Sequence, residues 1–83
     1  MAVEQLKINK TAEWLELAKK RVNLPSACLR LKYQSEVDLL VVRFNDGKST
    51  YSKDDYSKGL IYNYDAQDRL VSIEVLDLYG VFV

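Results

Sequence analysis

The chain has 83 residues, with 12 Lys and Arg balanced against 12 Asp and Glu and no histidine. Apolar and aromatic residues make up 48% of it, enough for one globular core in a chain too short for two. A domain of this size buries only about 60–65% of the surface its unfolded chain exposes, so it has little room for an enclosed active-site cavity.

Without histidine the chain lacks the commonest general base, the commonest metal ligand and the usual near-neutral pH switch. No Ser-His or Cys-His nucleophile pair can form. Cys28 is the single cysteine, which excludes an intrachain disulfide, a CxxC motif and a Cys/His zinc site within one chain. In Ala27-Cys28-Leu29 it reads as a small buried hydrophobe. Gly47, Gly59 and Gly80 are too dispersed for a phosphate loop or a dinucleotide fingerprint. No apolar run approaches the roughly 18 residues of a membrane span, and the first residues show no basic region followed by an apolar core. The expected location is a reducing cytoplasm, with no cofactor and no membrane partner.

Taken in order, Val3 to Ile8 alternates weakly and is open to three readings: an edge strand, an extra helical turn or a tail. Thr11 to Val22 reads as an amphipathic helix with Thr11 as its N-cap and Glu13 in its first turn. Leu17, Trp14, Ala18, Val22 and Leu15 fall within an arc of about 160° on that helix. Lys19, Lys20 and Arg21 suit its last turn, and Pro25 stops it.

From residue 27 the period changes to two, with Leu29, Leu31 and Tyr33 alternating with Cys28, Arg30 and Lys32. A polar break at Gln34 to Val37 leads to the strongest strand, Asp38 to Phe44. Its apolar residues on both faces, Leu40 and Val42 against Leu39 and Val41, suggest a central strand covered on both sides. Asn45-Asp46-Gly47-Lys48 is a turn. Thr50 to Ser52 reads as a weak edge strand leading into a loop, and Gly59 opens a strand over Leu60 to Tyr64. Asp65 to Asp68 is the next turn, and Arg69 to Leu76 the last clear strand. Short strands joined by short turns favour an antiparallel meander of about four to five strands. The expected fold is α+β: one domain over 1–83, made of an N-terminal helical extension (1–25), a β-meander (27–77) and an apolar tail (78–83). The helix should lie across one sheet face.

Two blocks then stand out: Tyr33-Gln34-Ser35-Glu36-Val37-Asp38-Leu39-Leu40-Val41-Val42-Arg43-Phe44, and Tyr64-Asp65-Ala66-Gln67-Asp68-Arg69-Leu70-Val71-Ser72-Ile73-Glu74-Val75-Leu76-Asp77. Together they resemble a small bacterial family known as domain of unknown function 2283, over residues 29–77. Tyr33, Glu36, Asp38, Asp65, Arg69, Glu74 and Asp77 fall on its pattern, with Leu40, Val42, Val71, Ile73 and Leu76 between them. Gln34, Asn63, Asp68 and Ser72 depart from it, the last two where the pattern has glycine. The resemblance implies a small β-rich fold and no established activity. It points weakly to partner binding, including toxin–antitoxin pairs, and no catalytic residue carries over.

The acids are the only candidates for site chemistry. Asp65 and Asp68 resemble a cation cage, but Asp, Asn and Gln are ordinary turn formers. Glu74, inside a strand, is expected to pair across the sheet with Arg43 or Arg30. Glu36 and Asp38 are expected to accept turn N–H groups or to pair with Arg69. If Tyr62 and Tyr64 share a face with Arg30, Lys32 and Arg43, the surface mixes aromatic and basic groups as nucleic-acid binders do, although zero net charge argues against phosphate binding.

One helix covers only part of a sheet. Trp14, Leu39, Val41, Leu70, Tyr79, Val81, Phe82 and Val83 are therefore the candidate interface residues, since a contiguous exposed apolar patch marks association. The leading expectation is a non-catalytic protein-interaction module forming a homodimer. The alternative is an antitoxin-like regulatory protein that neutralises an unidentified protein partner or binds nucleic acid. A third is a carboxylate-based metal binder or enzyme using Asp65, Asp68 or Glu74.

Overall fold

A computed structural model describes residues 2–24 and 30–80, and of residues 2–9 the backbone alone. Helix α1 runs Ala2–Lys19. Its sequence contains no glycine or proline and is rich in Ala, Leu, Glu and Lys, all strong helix formers. The helix therefore starts well before Thr11, which sits in its interior and not at an N-cap. The proline expected to stop it, Pro25, lies outside the described residues, as does Cys28.

The strands are β1 (Arg30–Gln34), β2 (Leu39–Arg43), β3 (Tyr51–Asp55), β4 (Leu60–Tyr64) and β5 (Leu70–Val75). They form one antiparallel sheet in the order β1-β2-β5-β4-β3. The α+β class and the antiparallel pairing expected from the sequence are present, but the order is not that of a simple meander. The hairpin β1–β2 docks on β5, and the chain then crosses to build β3 and β4 on the other side. β2 is an interior strand, as its apolar run suggested, and β5 is the middle strand of the five.

Alternation divides the sheet into two faces. On one, Leu40 and Val42 of β2 stand beside Val75 and Ile73 of β5, which stand beside Leu60 and Tyr62 of β4. Leu40, Val42, Leu60 and Val75 are fully buried there, with Ala18 of the helix against them. Trp14 and Leu17 of α1 and Leu31 and Tyr33 of β1 close the same core. Fully burying each aliphatic side chain contributes about 1.5–3 kcal/mol, so this face supplies the main stabilisation.

Two turns are held by buried carboxylates. Asp38 adopts a left-handed conformation (φ 52°) and has no solvent exposure. Its carboxylate accepts Tyr79 N–H at 3.0 and 3.1 Å, Gly80 N–H at 2.9 Å and the Tyr33 hydroxyl at 2.6 Å. The segment after β5 is thereby tied to the β1–β2 turn. Asp65 accepts Gln67 N–H and Arg69 N–H, both at 2.9 Å, and the Arg69 side chain at 3.1 Å. Asp68, where the family pattern has glycine, has φ 65°: the turn needs a left-handed residue, and Asp tolerates that conformation better than most.

Candidate interaction surface

The opposite face of the sheet has no element of the described chain packed over it. Its rows can be read from the register. Lys32, Val41, Glu74, Ile61 and Asp54 form one row from β1 across to β3. Arg30, Arg43, Ser72, Asn63 and Ser52 form the next. Leu39, Val41 and Ile61 remain only half-buried, whereas Leu40, Val42, Leu60, Ile73 and Val75 on the other face are sealed. Leu70, paired with Tyr64 across an irregularity in the register, packs against the helix-side core instead. Among the described residues β2 is therefore covered on one side only, against the expectation from its apolar run.

Charge is divided across this face. Arg30, Lys32 and Arg43 occupy the β1–β2 side and border a shallow groove of about 600 Å³ floored by Val41. Arg30 pairs with Asp46, and Arg43 donates to the Gly47 carbonyl at 2.8 Å. Glu74 and Asp54 occupy the β5 and β3 positions. Glu74 does not pair with an arginine: it accepts from Asn63 Nδ2 at 3.0 Å, and the same amide donates to Ser72 Oγ at 3.0 Å. Ser52 donates to the Asn63 carbonyl oxygen at 2.5 Å. Two positions that depart from the family pattern, Asn63 and Ser72, thus meet in one polar strip. Their cross-strand adjacency depends on pairing, so separate blocks of sequence did not reveal it.

The remaining interface candidates are placed elsewhere. Trp14 lies on the helix side, its ring 5.4 Å from that of Tyr33, and Tyr33 meets Tyr79 edge-on at 5.4 Å. The Tyr79 hydroxyl donates to Glu13 of α1. Val81, Phe82 and Val83 lie outside the described residues. Tyr62 faces the helix side, opposite Arg30, Lys32 and Arg43, so it adds no aromatic ring to the basic groups. Tyr64 stacks on Tyr51 at 5.2 Å, with the Lys53 ammonium 5.6 Å from its ring.

The electrostatics follow these contacts. Burial, then the hydrogen bond to Asp38, pushes the Tyr33 hydroxyl up to about 12. Burial and Glu13 push Tyr79 up to about 12. The Asp68 carboxylate, which accepts its hydroxyl, pushes Tyr51 to about 12. Asp65 is held below the usual carboxylate range, first by the Arg69 backbone N–H and then by Gln67 N–H and the Arg69 side chain. All of this binds carboxylates to turns and tyrosines, and Arg69 pairs with Asp65 and not with Glu36 or Asp38. Among the described residues no group of three or more acidic or cysteine side chains is placed to hold a metal ion, and no helix is long and apolar enough to cross a membrane.

Neither the curated proteins nor the solved structures contain a match to the chain. The family model described as "Protein of unknown function (DUF2283)" matches residues 30–78, from the first residue of β1 to the residue before Tyr79, where the Asp38 carboxylate begins to hold the chain. That span contains the whole sheet and both carboxylate-held turns, and the chain therefore belongs to the DUF2283 family, with α1 as an element outside the family match.

Proposed function

We propose that the protein is a non-catalytic interaction module that forms a homodimer through the open face of its sheet, in a reducing cytoplasm. The observation that carries this reading is the row Lys32–Val41–Glu74–Ile61–Asp54. It is basic at one edge and acidic at the other, with the apolar Val41 and Ile61 on either side of a central Glu74. A twofold axis parallel to the strands and passing through β5 lays this row on its own copy in reverse. Lys32 of one protomer then meets Asp54 of its partner, and Val41 meets Ile61. A self-complementary patch of this kind is what an isologous dimer needs. Like charges at the edges would instead have repelled a second copy.

The half-exposed Leu39, Val41 and Ile61 supply the apolar area such a contact buries. The engagement of Asp65 with turn N–H groups and of Glu74 with Asn63 supports a non-catalytic reading, because these acids already serve the fold. Light scattering on the full chain at micromolar concentration tests the proposal. The expected mass is twice the 9.6 kDa of one chain. A single-chain mass across that range overturns it.

A further inference from the structure

A second surface, remote from the open face, gathers cations without an acidic counterpart. Lys19 at the end of α1, Arg21 and Asn23 just beyond it, and Lys58 and Tyr62 from the β3–β4 hairpin line one groove of about 350 Å³. That volume is at the small end of ligand sites, which run from roughly 300 to 1,000 Å³. The ion pairs among the described residues are Lys10–Glu13, Arg30–Asp46 and Arg69–Asp65, and none of them involves a cation of this groove.

Arg21 is held in place. One terminal nitrogen of its guanidinium donates to the Leu76 carbonyl, and the other donates to the Asp77 carbonyl at 2.5 Å. Gly59, with φ 66°, makes this approach possible, because a Cβ there would sit 3.1 Å from the guanidinium and 3.3 Å from the Leu76 carbonyl oxygen. A guanidinium has five N–H donors, so two backbone bonds leave three for a ligand. Its charge is thus fixed before any ligand arrives, which lowers the ordering cost of binding.

Helix ends explain only part of this cluster. Lys19 and Arg21 offset the negative end of the α1 dipole. Lys58 comes from a hairpin turn and has no such role, yet it lines the same groove as the other two cations. We infer that the groove between the end of α1 and the β3–β4 turn binds a phosphate-class dianion, either free orthophosphate or a small phosphomonoester. Lys19 and Lys58 act as mobile point charges, and Arg21 as the fixed donor of planar, directional N–H groups. The net charge of zero makes this a local site for a small anion, not a track for a nucleic-acid backbone.

The test is titration of the full, isotope-labelled chain with inorganic phosphate, and separately with phenyl phosphate, at constant ionic strength. Saturable NMR shifts are expected at the amides of residues 19–23 and 58–62. Lys58→Glu should weaken binding at least tenfold, and Lys19→Gln severalfold. Lys32→Glu, on the open face, should leave it unchanged. Both lysines of the groove are exposed, so these variants should keep the wild-type melting temperature. Tighter binding of phenyl phosphate identifies an ester as the ligand; equal or tighter binding of inorganic phosphate identifies the free anion. Non-saturating shifts, identical shifts with sodium chloride, or unchanged affinity in Lys58→Glu overturn the inference. None of these outcomes depends on whether the open face dimerises.

Discussion

The two faces of the sheet are built from the same strands, yet they differ in composition and in what covers them. On the helix side, Leu40, Val42, Ile73 and Val75 are sealed by Leu60, Ala18 and Leu78. On the open side, Leu39 and Val41 alternate with them along β2 but stay half-exposed, beside Arg43, Glu74 and Asn63. Along β2, apolar character alone therefore does not distinguish core from surface. What separates them is the presence of the helix and of the segment that Asp38 pins in place. The sealed face carries folding, and the open face is the surface proposed for association.

The sharpest break of this comparison is a pair of substitutions at neighbouring strands. Ile73→Ala removes a side chain that is 1% exposed at the centre of the sealed face. It should lower unfolding free energy by about 2–5 kcal/mol in urea melts. Leu39→Glu should leave the stability of the single chain within about 1 kcal/mol while weakening the dimer at least tenfold by sedimentation. Equal destabilisation by the two would erase the distinction between the faces.

Next comes pH, which acts on the sealed side through its tyrosines. Tyr33 and Tyr79 both have hydroxyls raised to about 12 in the folded chain, against an ordinary value of about 10. The folded state therefore favours their protonated forms. Their contribution to stability is fully present below about pH 10 and is lost as pH rises through about 12. Denaturant melts between pH 8 and 12 should show a plateau followed by a fall, and Tyr33→Phe should make that fall shallower. Asp65 works in the opposite sense: its lowered value contributes stability above the normal carboxylate range, and this is lost as the solution is acidified through its folded value.

The smallest expected effect sharpens the open face. In the proposed dimer the axis passes near Glu74, so the two copies of this carboxylate approach each other. Glu74→Gln keeps an oxygen to accept from Asn63 Nδ2 and removes the like-charge contact. The dimer should tighten by a few-fold in a dilution series, with the melting temperature of the single chain unchanged. A weaker dimer would displace the axis from β5.

Several elements were readable in the residues alone because their cause is local. Alternation marks β2, β4 and β5 to within a residue or two, since burial on one face imposes a period of two. The Asp65–Asp68 turn is legible from its turn-forming residues. β3 reads only in its first residues, because an edge strand that buries little has no reason to alternate: Tyr51–Asp55 is polar and mostly exposed. Asp38 reads as the first residue of a strand, yet it is a buried turn residue, because its partners are the backbone N–H groups of Tyr79 and Gly80, far along the chain. The polar strip of Ser52, Asn63, Ser72 and Glu74 and the cationic groove of Lys19, Arg21 and Lys58 combine residues from separate elements, so no local pattern marks either of them.

What the sequence by itself determined is the class of the protein and the limits of its chemistry. A histidine-free, charge-balanced chain with one cysteine builds a small antiparallel sheet with a helix, and its blocks from Tyr33 to Phe44 and Tyr64 to Asp77 carry the family pattern. Only the tertiary structure decided that β5 stands between β2 and β4, which strand face the helix covers, and therefore which leucines and valines are core and which are surface. The reason is physical: turn chemistry and alternation act over a few residues, whereas strand order and the choice of covered face depend on contacts that form only when distant segments pack together.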